Sequence, residues 1–152
     1  MAEDRSFIEE NARELERLRG LVERLTDEDL RRSVGDRWTV ADVLGHIAFW
    51  DGRAFELGGR IQRGVPFTPS DDEPEDVDWI NDAMHPLIRA IPPREVAQLA
   101  LRRAEETDER MATLPPDRVY PNDENSPVSA LRADHRGEHL DQIEAALGPE
   151  LS

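Results

Sequence analysis

A chain of 152 residues with 34 acidic against 19 basic side chains carries a formal charge of −15, which repels phosphate backbones and anionic lipid surfaces and excludes nucleic acid and membranes as default partners. The absence of cysteine removes disulfides, a thiolate nucleophile and thiolate metal ligands. The length suits one helical domain over 1–152 with a real core. MAEDRSFIEE is charged from its third residue and lacks the apolar centre of a signal peptide, so the cytoplasm is the expected address. All 19 basic residues are arginines spread along the chain, which reads as genomic base composition rather than mechanism.

From Asp4 to about Leu25, Phe7, Ile8, Leu15, Leu18, Leu21, Val22 and Leu25 recur at helical spacing among Glu and Arg, the pattern of an amphipathic helix. Thr26-Asp27-Glu28-Asp29 then predicts a turn that caps a short piece ending near Val34 and Gly35. Thr39 is a good N-cap, and Asp42 three residues later answers it as a capping box. Val40, Val43, Leu44, Ile47, Ala48 and Phe55 continue that helix until Gly58-Gly59, the expected stop. The stretch from there to about Asp76 is rich in Gly, Pro, Thr, Ser and acids and is too long for an ordinary connection. Its acidic part, Asp71 to Asp78, lacks the glycine and spacing of a calcium loop and reads as solvated.

A third helical region starts near Val77 and is divided by Pro92-Pro93, with Pro93 suited to a fresh helix start. Val96, Leu99, Ala100, Ala104, Met111 and Leu114 carry it on to a second loop, LPPDRVYPNDEN. Ser126-Pro127 predicts the start of the last helix, which runs through Val128, Leu131, His135, Leu140, Ile143 and Leu147 to Gly148-Pro149. No strand alternation or repeat stands out. The expectation is an all-α antiparallel four-helix bundle with long loops after the second and third main helices.

Four histidines are unevenly placed. His135 and His139 are four apart, so their rings leave one helix face with Cβ atoms about 5–6 Å apart. Such a pair can grip one ion at about 2.0–2.1 Å per nitrogen. His46 lies among Val43, Leu44 and Ile47, beside an apolar stripe that would meet the last helix inside a bundle. Three neutral imidazoles suit Zn, Ni or Fe(II) and leave coordination open for water or substrate. From spacing alone a bland reading stands beside this one: a lone core-side histidine is more often a hydrogen-bonded structural group, and an HxxxH pair on an acidic helix is often solvated.

His135-Arg136-Gly137-Glu138-His139 also spells the inverted zinc-protease order. A protease of that type needs a further ligand well downstream and lobes to hold a peptide, and is set aside. Glu138 is a candidate general base towards a bound water, against the blander reading of an exposed glutamate or a partner of a ring N–H. Candidate pocket residues are Trp50, Asn81 and His85, although a histidine before Pro86 also suits a capping or solvent-facing place. Trp38, Trp50 and Trp79 are expected in the core or a pocket wall. Asp51, five residues after His46, points away from that ring and towards an arginine partner. Gly137 in a helix costs about 1 kcal/mol relative to alanine, which a close backbone contact would explain.

GDRWTVADVLGHIAFWD resembles the second-helix signature of the DinB/YfiT-like superfamily, in which Trp-Thr or Trp-Ser precedes a helix with a central metal histidine. ADHRGEHLDQIEAAL is similar to that family's closing helix, with paired histidines followed by Gln-Ile, and WINDAMHPLI to its third-helix entry. The resemblance covers most of the chain in the right order. It implies a four-helix bundle with a divalent transition metal, Zn or Ni, held by His46, His135 and His139. It further implies either a metal-dependent enzyme on a small-molecule substrate or a non-catalytic, ligand-sequestering stress or self-protection protein. In the enzyme case the metal activates water, as in a hydrolase, or an external low-molecular-weight thiol of mycothiol or bacillithiol type, as in an S-transferase. A homodimer through exposed helix faces suits such a bundle.

Overall fold

The computed structural model describes residues 5–72 and 77–148. The expected helix start at Asp4, most of the acidic stretch before Asp78 and the Pro149 stop lie outside the described residues. The chain forms α1 (Phe7–Arg24), α2 (Asp27–Arg31), a short antiparallel ribbon of β1 (Ser33–Val34) and β2 (Trp38–Thr39), then α3 (Val40–Gln62), α4 (Asp78–Arg89), α5 (Pro93–Thr113) and α6 (Ala133–Leu147). The ribbon is a regular element that the periodicity did not predict, as are single 3-10 turns at Pro69–Asp71 and Pro116–Arg118. It is two residues a side, too short to show alternation.

Capping chemistry sets the helix starts as the sequence predicts. Thr39 Oγ1 accepts from the Asp42 amide at 3.2 Å, and Asp42 Oδ2 accepts from the Thr39 amide at 2.8 Å. Thr26 and Asp29 repeat the motif for α2. Pro93 opens α5 at a position where its missing N–H is not needed. The stop expected at Gly58-Gly59 is corrected: α3 continues to Gln62. The turn is closed by Gly64 (φ +72°), with Gly64 N donating to Ile61 O and Val65 N to Arg60 O. Gly58 lies against α5, where a Cβ would stand 2.9 Å from Met111 Cε, the movable end of a flexible side chain. Gly137 shows no such approach: a Cβ would meet only the Glu14 carboxylate at ordinary distance, so nothing there requires glycine.

The start of the last helix is also corrected, from Ser126-Pro127 to Ala133. Ser126 precedes proline, which disfavours the helical conformation, and its Oγ accepts from Val128 N at 3.2 Å in a local turn. Val128 and Ala130 are buried with Phe7, Leu57, Ile61 and Met111 in a second apolar cluster. The helix start is capped from outside its own sequence. Buried Asn11 of α1 donates to Ala130 O at 2.8 Å and accepts from Arg132 N at 2.7 Å and Ala133 N at 2.9 Å.

Of the 23 residues of α3, sixteen are buried, so it is the central helix against which the others pack. Side-chain pairings fix the directions. Thr107 reaches Asp51 O, Arg110 reaches Phe55 O and Gln62 reaches Thr113, so α3 and α5 run parallel. Asn11 meets Ala133 while Arg17 meets Asp141 and Glu144, so α1 and α6 are parallel too. Arg19–Glu105 and Arg94–Val22 O make α1 and α5 antiparallel, as His46–His135 and Asp51–Arg132 do for α3 and α6. The helical bundle is as expected, but its order is up-down-down-up rather than uniformly antiparallel. The crossover that a parallel neighbour needs is made through the long segment carrying α4. Within that segment, Asp71 is pinned to α3 by Arg60 and accepts from Thr68 N at 2.8 Å. No helix among the described residues is long and apolar enough to cross a membrane.

Candidate metal centre

His46 lies in the second turn of α3 and His135 and His139 in the first turns of α6. The antiparallel crossing of these two helices brings the three rings together. One ring nitrogen from each lies within 4.8 Å of the others. His46 Nε2 and His135 Nε2 stand 3.2 Å apart, a spacing that two nitrogens keep when each is bonded to one ion at about 2.1 Å. The His139 ring packs edge-on against both, with centroids 4.5 Å from His46 and 4.6 Å from His135.

Burial keeps two of these rings, those of His46 and His135, neutral. Burial, with the charge of His139 adding to it, pushes His46 down to about 4 and His135 to about 3. Both therefore offer lone pairs at neutral pH. Their Nδ1 atoms are buried without a hydrogen-bond partner, and an orphaned polar atom costs about 1–3 kcal/mol. A fold that buries two such imidazoles holds the rings for something other than stability. The donor set, the neutrality and the spacing all fit a divalent transition metal.

The rings border a cavity of about 380 Å³ together with Trp50, Asn81, Arg53 and Arg132. Trp50 Nε1 donates to Asn81 Oδ1 at 3.0 Å, which ties α4 over α3 beside His46. Gln142, one turn along α6, has its Oε1 2.9 Å from His139 Nδ1 and so fixes that ring. Beneath the cavity lies a buried ion network. Asp51 accepts from Arg132 Nε at 2.9 Å and from Arg136 Nε at 2.8 Å, and Arg136 reaches on to Asp108 at 2.6 and 2.8 Å. Asp51 and Arg136 are fully buried, so this network locks α6 to α3 and α5 directly under the histidines.

Of the residues singled out from the sequence, His46, His135, His139, Trp50 and Asn81 are brought to one place. His85 is not: its ring stacks on Trp38 at 5.3 Å and its Nε2 lies 3.1 Å from Asp42 Oδ2, behind the wall that Trp38 presents edge-on to His46. Burial pushes the Asp42 carboxyl up, but the Thr39 amide, His85 and Arg89 outweigh this and hold it below the usual range. Glu138 is corrected as a general base. It is exposed and lines the groove between α6 and α1 with Glu10 and Glu14, because it sits a quarter-turn round the helix from the histidines. Trp79 is corrected from core or wall to surface, at 60% exposure. Asp51 does find arginines, two of them. Arg132 and Gln142 were missed. The spacing 132-135-139-142 marks one helix face, on which Arg132 is the N-cap residue of α6.

Fold and site together define a helical bundle with a three-histidine group, able to hold a metal ion, between its longest and its last helix. The family model of the DinB superfamily matches residues 10–143, and the chain belongs to that superfamily. No curated protein and no solved structure shows a match to the chain.

Proposed function

We propose that the protein is a metal-dependent enzyme acting on a small molecule, with His46, His135 and His139 holding a divalent transition metal, zinc or nickel. The observation that carries this reading is the convergence of three imidazoles, two of them held neutral by burial, at one wall of a cavity of about 380 Å³. Bound there, a divalent ion supplies Lewis acidity, lowering the pKa of a water or thiol brought to it.

The chain's own residues do the rest. Gln142 orients His139, the Asp51 network sets the pitch of α6, and Trp50 with Asn81 forms a wall against which a substrate can lie. No carboxylate lines the cavity among the described residues. A nucleophile that needs no protein base therefore fits better than one that does. A thiol, with an ordinary pKa of about 8.5, is such a nucleophile, and in a chain without cysteine it comes from outside. These features favour an S-transferase using a low-molecular-weight thiol over a hydrolase.

The first test is metal content by mass spectrometry on untagged protein and on a His135→Ala/His139→Ala variant. About one ion per chain, lost in the variant, is expected. No metal in either, even after incubation with Zn2+ or Ni2+, overturns the reading. With metal present, consumption of a chlorinated aromatic should depend on added thiol. Equal rates without thiol rule out the transferase, and disappearance that stops at one equivalent per chain means sequestration rather than turnover.

A further inference from the structure

The surroundings of the three histidines differ in chemistry from the rest of the surface. The chain carries −15 overall, and the groove between α1 and α6 is lined by five acids, among them Glu10, Glu14 and Glu138, against two arginines, Arg13 and Arg17. The three-histidine cavity is lined instead by Arg53 and Arg132 and, among the described residues, by no carboxylate. Arg53 donates to Asp71 O, which places its charge at the cavity wall.

Arg132 is built in more firmly. Its side chain is 12% exposed, Nε donates to Asp51 Oδ1 at 2.9 Å and Nη2 to Trp50 O at 3.3 Å. Asp51 is itself fixed by Arg136 through its other oxygen. The one guanidinium nitrogen of Arg132 that donates to no protein group among the described residues is Nη1. Asp51 and Asp108 balance Arg132 and Arg136 in charge, so the network is neutral as a whole, and Arg132 is its member that lines the cavity. A guanidinium held from two sides with one N–H2 left over is a preorganised donor for an oxyanion. Its place one turn before His135 sets that donor on the same face of α6 as the metal-ligating pair.

We propose that Arg132 Nη1 binds a carboxylate of the substrate, so that the small molecule accepted beside the histidines is an anion. This rests on reading the cavity as a small-molecule site and adds the substrate's charge and the residue that selects it. Neutral analogues of the same shape are discriminated against, because they leave Nη1 without a charged acceptor among the described residues of the cavity.

The test is a nitrogen-15 NMR titration of the full chain with acetate and with acetamide, its neutral isostere, in chelator and after loading with zinc. The Trp50 indole N–H is the reporter. In the metal-free protein, acetate should shift that signal saturably and acetamide should not. Arg132→Gln should weaken acetate about tenfold, Arg132→Lys should restore much of it, and Arg103→Gln, outside the cavity, should stay within about twofold of wild type. The acetate–acetamide comparison needs no variant, so a loosened fold in Arg132→Gln does not blunt it. Equal responses to the two probes overturn the proposal, as does acetate binding unchanged by Arg132→Gln or present only after zinc loading. Metal content measured on the same samples separates the readings. Zinc uptake without a charge-selective acetate response sinks this inference alone, whereas acetate selectivity without zinc uptake sinks the metal reading alone.

Discussion

Asp51→Asn removes one charge at the junction of α3 and α6 without changing shape. Both carboxylate oxygens are in use, at 2.9 Å to Arg132 and 2.8 Å to Arg136, and Asp51 and Arg136 are fully buried. The amide keeps one acceptor and turns its N–H2 towards the other guanidinium, so one hydrogen bond becomes a donor–donor contact and both arginines lose their shared counter-charge. Removing one partner of a buried pair costs about 3–5 kcal/mol. Arg136 retains Asp108 and Arg132 touches the cavity, which sets the expected loss at the low end, about 3 kcal/mol. For a chain of this size that lowers Tm by about 6–12 °C. Urea unfolding followed by circular dichroism should show an earlier midpoint at unchanged slope. A double-mutant cycle with Arg136→Met should give a coupling of about 1–3 kcal/mol. A loss below about 1 kcal/mol, or an additive cycle, would refute the argument that this network fixes α6.

Two further outcomes are expected. In metal-free protein, stability should fall by about 3 kcal/mol from about pH 7 to about pH 5. In that window the unfolded chain protonates His46 and His135 near the ordinary 6.5, while the folded state resists until about 4 and 3, so the unfolded state binds more protons and stability rises with pH. Thermal melts in chelator across that range read the slope, and the same slope in a His46→Gln/His135→Gln variant would contradict this origin. Gln142→Ala should weaken zinc binding about tenfold by freeing the His139 ring, whereas Glu138→Gln leaves it unchanged. A competition titration with a zinc indicator measures both, and the reverse ranking would return Glu138 to the site.

Local chemistry was legible wherever it acts within one helix. The capping boxes at Thr26 and Thr39, the restart at Pro93 and the pairing of His135 with His139 are all contacts between residues three or four apart, or a property of one residue. The sequence reading failed where a distant residue decides. Asn11, more than a hundred positions away, takes the amides at Arg132 and Ala133 and so moves the helix start that Ser126-Pro127 seemed to mark. Gly58-Gly59 reads as a stop, yet both lie buried within α3 where α5 packs, and the helix runs on to Gln62.

By itself the sequence determined that the chain is helical, which faces are apolar, and that three of its histidines are candidates for one ion, because periodicity and residue chemistry are carried by the chain. Only the tertiary structure decided that α3 and α6 cross with His46 against His135 and that Glu138 faces α1 instead of the site. It also decided that Arg132 borders the cavity and that buried Asp51 holds it there. Those facts depend on helix direction and rotation about the helix axis, which packing sets between elements far apart in the chain.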